Sequence, residues 1–112
     1  MTSTAKPIDA AALAARIRSF AIDPASGVMP EQSCRIIALS EAISVLTFVS
    51  PSGLAVAWGE ALDTVAREDA KRTRVGLGMV TTATRAATFR ELVAAVCDET
   101  FAAEAIAAAG AQ

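Results

Sequence analysis

Apolar residues recur along this chain at helical intervals, in stretches separated by short clusters of proline, glycine, serine and threonine. Leu13, Ile17 and Phe20 fall at i, i+4 and i+7, which predicts a first helix over about 10–21 with Asp9 at its N-cap. Arg16 and Arg18 flank that stripe and should face water. Residues 22–30 hold two prolines and a glycine and read as a loop. Pro30 suits the first turn of a second helix, since proline lacks an N–H that would have no helical partner there. That helix is expected over about 31–48. Ile36, Leu39, Ile43 and Leu46 share one face, widened by Cys34 and Ile37, with Ser40, Glu41, Ser44 and Thr47 forming the polar face. An apolar arc this broad marks a central helix.

Ser50-Pro51-Ser52-Gly53 has two readings. Ser50 can cap a third helix with Pro51 at its first position, and Leu54, Trp58, Leu62 and Val65 then share one face. Alternatively, 44–49 and 54–58 are two strands around a four-residue turn, because Leu54, Val56 and Trp58 also alternate. The helix is favoured, since its spacing runs on unbroken to Val65 and alanine is a poor strand former. It should end near Arg74, where Gly76 and Gly78 interrupt the pattern. Thr88 and Glu91 then match a capping box, opening a helix that carries Phe89, Leu92, Val93 and Val96. Asp98 either restarts this helix or lies within it, and Phe101 and Ile106 continue its marks until Gly110 ends it. No internal repeat is visible. The expected fold is all-α, a compact bundle of four to five short helices. A flexible lead over 1–8 precedes a single domain over 9–110. The alternative is α+β, with a small hairpin near 44–58.

Composition refines this picture. Of 112 residues 54% are hydrophobic, yet there are only one Trp and four Phe, and 27 positions are alanine. The core must therefore rest on aliphatic side chains and on helices brought close by alanine. A net charge of −2 with this apolar content argues against disorder and for self-association. Cys34 and Cys97 stand in no metal-binding spacing and read as two small buried hydrophobes. Residues 1–7 lack the apolar run of a signal peptide, and the uncharged stretch 42–59 is interrupted by Ser50-Pro51-Ser52-Gly53. A soluble, cytoplasmic chain without a membrane span is expected, and its alanine-rich composition suits a bacterial source.

The candidate chemistry is sparse. The chain has no histidine and no tyrosine, which removes the side chain that titrates nearest pH 7, along with His-paired nucleophiles and His-ligated zinc. Gly76-Leu77-Gly78 lacks the third glycine of a dinucleotide loop and the Gly-Lys-Ser/Thr of a P-loop. The carboxylates form no catalytic pair, and Asp98 and Glu99, adjacent on a helix, point apart. No catalytic residue, cofactor site or metal site is assigned, and an enzyme is not expected.

Charge is nevertheless segregated. Segment 67–90 carries a balance of +4 and segment 91–112 a balance of −4. Arg67, Lys71, Arg72, Arg74 and Arg85 could bind phosphates, making a small DNA- or RNA-binding regulator the alternative function. Against it stand a pI near 5.0 and the lack of stacking aromatics in that cluster. Asp63–Arg67 and Glu68–Arg72 can also lace a solvated helix at i, i+4. Trp58 is the one large aromatic anchor, suited to a core or to the centre of an interface. In the second case Leu54, Trp58, Leu62 and Val65 form a partner-binding stripe. The expected function is a non-catalytic protein–protein interaction module: an adaptor, chaperone-like subunit or inhibitor, acting as a homodimer.

Overall fold

A two-residue antiparallel bridge fastens the start of the chain to its middle. The computed structural model describes residues 5–28, 30–72 and 82–110, and the side chains at 30–31, 69–72 and 82–87 fall outside that description. The bridge joins β1 (Ile8–Asp9) to β2 (Phe48–Val49), with Ile8 opposite Val49 and Asp9 opposite Phe48. Side chains alternate across a strand. Here Val49 is 2% exposed while Phe48 is 64% exposed. The bridge runs directly into α1 (Ala10–Ile22), where the Ala10 N–H donates to the Thr47 carbonyl at 3.0 Å. One of the first unpaired donors of α1 is thus satisfied by the strand partner. Asp9 occupies the N-cap position but makes no side-chain capping hydrogen bond. The Ala5 N–H also donates to Glu104 Oε2 at 2.8 Å. The lead expected over 1–8 is therefore tied to the body of the protein from residue 5 onward.

After α1, Asp23 closes a turn on itself. Its Oδ1 accepts from the Ala25 N–H at 2.9 Å, its carbonyl accepts from Ser26 Oγ at 2.7 Å, and Gly27 leaves the turn at φ +72°. That left-handed conformation favours glycine. The loop leads into α2 (Pro30–Ser44), whose Ser33 hydroxyl donates to the Ala21 carbonyl at 2.9 Å and joins it to the end of α1. Ile36, Leu39 and Ile43 are fully buried, as the periodicity predicts. Ser40, expected on the polar face, is 3% exposed and satisfies its hydroxyl by donating to the Ile37 carbonyl at 2.6 Å. The helix also ends four residues sooner than the pattern suggests. The β-favouring run Thr47-Phe48-Val49 leaves it to pair with β1, and Leu46 becomes 45% exposed.

Ser50 then caps α3 (Pro51–Arg72), its hydroxyl accepting from the Gly53 N–H at 3.0 Å. Pro51 stands at the first helical position. A Cβ at Gly53 would lie 3.0 Å from that hydroxyl oxygen, so glycine leaves the cap its room. Residues 54–58 are helical and the only strand near 44–58 is β2, so the hairpin alternative fails in its proposed form.

The capping box at Thr88 is not used, because α4 (Thr82–Val96) already contains that residue. Asp98 is where the helix restarts. Its Oδ1 accepts from the Phe101 N–H at 2.8 Å, capping α5 (Glu99–Gly110), and Glu99 adds an acid to the positive N-terminal turn.

The principal packing pairs are α1 with α2, α2 with α3, α3 with α5, α5 with α4, and α4 with α1. The five helices among the described residues thus close into a ring, and those residues are all-α apart from the small bridge. Leu13, Ile17, Ile36, Leu39, Leu54 and Phe89 are among the side chains that fill its interior. Among the described residues α3 and α4 share no broad contact, yet the Trp58 and Phe89 rings reach across and stack at 5.6 Å with an interplanar angle of 27°. The radius of gyration, 13.7 Å, is close to the ~13 Å of a well-packed domain this long.

Candidate functional site

The stripe on α3 does not form a surface. Leu54 is fully buried and Trp58 is 5% exposed against Phe89, while Leu62 and Val65 are half-buried. The first two therefore belong to the interior and cannot meet a partner while the chain is folded. The spacing correctly identifies one packed face, but that face is covered by the chain's own helices.

The basic cluster is only partly described. Arg67 is exposed, and its guanidinium donates to Thr64 Oγ1 at 3.4 Å rather than pairing with Asp63. Lys71 and Arg72 lie at the end of α3 and Arg85 lies in α4, but their side chains are outside the described residues, as is Arg74 altogether.

The surface that does stand out lies at the end of α2. Val45 is 83% exposed, Leu46 45% and Phe48 64%. Three large apolar side chains thus face solvent within four consecutive residues. Hydrogen bonds hold them in place: the Leu46 N–H donates to the Ile43 carbonyl at 2.9 Å, and the bridge fixes Phe48 opposite Asp9. Burial of Val49 on the reverse side of β2 turns Phe48 outward. The sequence carried a signal for this in the run Val45-Leu46-Thr47-Phe48-Val49, whose β-branched and aromatic members oppose helix continuation.

Compared with known proteins, the chain matches no family model, no curated protein and no solved structure. Its function must therefore be argued from these surfaces.

Among the described residues there is no group of three or more His, Cys, Asp or Glu side chains placed to hold a metal ion, and no helix is long and apolar enough to cross a membrane. Both cysteines are free thiols, and they differ in exposure. Cys34, expected to be buried, is exposed: it precedes Ile36 by two residues, a rotation of about 200° around the helix that carries it off the buried face. Cys97 is half-buried, and its pKa is pushed up to about 11. Burial dominates that rise and Asp98 adds to it, while Arg16 opposes it. The thiolate is the reactive form. Near pH 8 the thiolate fraction of Cys97 is about 100-fold below that of an unperturbed thiol, so it should alkylate more slowly, with its rate still climbing above pH 10. Mass spectrometry after a brief maleimide pulse should find the first label on Cys34. Equal labelling of both sites would contradict this assignment.

Proposed function

We propose that this chain is a non-catalytic protein–protein interaction module that self-associates as a homodimer through the exposed segment Val45, Leu46 and Phe48. The observation that carries the reading is the solvent exposure of these three apolar side chains on a hydrogen-bonded, well-anchored turn. A rigid apolar patch loses little conformational entropy when it is covered, which favours its use in association. A chain without imidazole or phenol side chains also supports binding over catalysis. An adaptor, chaperone-like subunit or inhibitor would work in this way. The two free thiols fit a reducing compartment, and the reading places the protein in a bacterial cytoplasm.

Sedimentation equilibrium at micromolar concentration tests the proposal. The unaltered chain should be a dimer, and Phe48→Asp should convert it to a monomer that keeps its helical far-UV spectrum but melts lower, since association no longer stabilises the fold and two carboxylates now face each other across the bridge. Raising the salt should leave the dimer intact, because an apolar contact is not screened. A dimer held instead by the basic 67–90 and acidic 91–112 segments would dissociate under the same change. A chain that remains monomeric at high micromolar concentration, or a Phe48→Asp dimer as stable as the original, would overturn the proposal.

A further inference from the structure

On the side of the ring where α4 returns to α1, the two helices leave an open cleft of about 350 Å³, lined by Ala15, Arg16, Ser19, Phe20, Ala95 and Val96. The cleft is shallow and open to solvent, so it would hold one side of a small ligand rather than enclose it. The lining is divided by chemistry. Phe20, Val96 and the two alanines supply an apolar wall. Arg16 and Ser19, three residues apart on α1, are the lining residues whose side chains carry hydrogen-bond donors. Arg16 is exposed and has no acidic partner among the described residues. Arg16 lines the groove together with Ala95 and Val96 of α4.

We propose that this cleft binds a small monocarboxylate with an apolar body, of the kind represented by a medium-chain fatty acid. The carboxylate would be held by Arg16, with the Ser19 hydroxyl able to donate beside it, and the hydrocarbon would lie against Phe20 and Val96. Charge complementarity selects this occupant. A guanidinium offers paired N–H donors matched to a carboxylate, whereas a neutral or cationic ligand would leave it unused. A dianion would exceed the single positive charge of the lining. The proposal is independent of the Val45–Phe48 surface, which belongs to a different part of the molecule.

Octanoate is the probe, with octanol as its uncharged counterpart, added to the isotopically labelled full-length chain and followed by backbone amide shifts. Octanoate should saturate, with the largest shifts at Arg16, Ser19, Phe20 and Val96. Octanol should bind at least about tenfold more weakly, which is the value of one charge-assisted contact. Arg16→Gln, a substitution at an exposed position, should remove most of that difference, and Arg16→Lys should restore part of it. Ala95→Leu should block both probes by filling the groove while leaving the charge in place. Added salt should weaken octanoate but not octanol. Equal affinity for the two probes, shifts centred on Val45, Leu46 and Phe48, or no saturation at millimolar octanoate would each overturn the proposal.

Discussion

Replacing Phe89 with alanine should cost about 3–5 kcal/mol and bring the protein close to unfolding at room temperature. Phe89 is 2% exposed, and its ring lies 5.6 Å from that of Trp58. The stack spans the middle of the helix ring, where the α3 and α4 backbones do not approach broadly. Phe89 sits within the packed core cluster, so its truncation leaves a cavity whose cost adds to the lost transfer energy. Domain stabilities of about 5–15 kcal/mol leave little margin for such a loss. Phe89→Leu keeps most of the volume and should cost less than about 1.5 kcal/mol. Urea unfolding followed by fluorescence measures both. Trp58 is the single tryptophan and the chain has no tyrosine, so the emission reports on this one site. A midpoint for Phe89→Ala within experimental error of the parent would show that the aromatic pair does not hold the interior together.

The same aromatic pair shows where sequence reasoning succeeds and where it stops. The i, i+4 spacing of Leu54 and Trp58 says that one face of α3 is covered, and it is. Spacing carries no information about what covers it, and the choice between a partner and the chain's own α4 depends on a contact 31 residues away, at Phe89. The bridge was hidden for a similar reason. Ile8 and Asp9 are too short a run to read as a strand, and Phe48 and Val49 gain a ladder only because residues 39 and 41 positions earlier meet them. Local features fared according to their competitors. Ser50 with Pro51 caps α3 because nothing before it can extend the helix, since proline disfavours a helical conformation in the residue it follows. Thr88 with Glu91 has the same kind of local signature, yet Ala86 and Ala87 precede it and the helix simply runs through. The exposed patch escaped detection because Leu46 would sit on the buried face if α2 continued. It becomes surface only when the bridge ends the helix at Ser44.

The bridge therefore links fold to proposed function. It satisfies the Ala10 amide at the start of α1, ends α2, buries Val49 and turns Phe48 outward in one short contact. An interaction surface made in this way needs no separate loop to be ordered on binding. Its geometry is set by the same hydrogen bonds that position two helices.

Enlarging Ala105 to leucine should be destabilising even though it adds apolar volume. Ala105 is fully buried, and with Phe101 and Ala102 it makes the buried face of α5, which packs on α3 and α4. The facing helix α3 likewise buries Ala57 and Ala61 at i, i+4. Small buried side chains on both helices leave little room for added volume between tightly packed elements. A leucine there must push the helices apart or leave its rotamer, at a cost of about 1–3 kcal/mol, which lowers the melting temperature by roughly 4–20 °C for a domain of this size. Ala103 and Ala107 lie on the exposed face of the same helix, so leucine at either should change stability by less than about 0.5 kcal/mol. Thermal unfolding of the three variants separates helix propensity from packing, since propensity alone treats all three positions alike. A melting temperature for Ala105→Leu at or above that of the parent would mean that α5 rests over an unfilled space, and that alanine is not what sets the closeness of these helices.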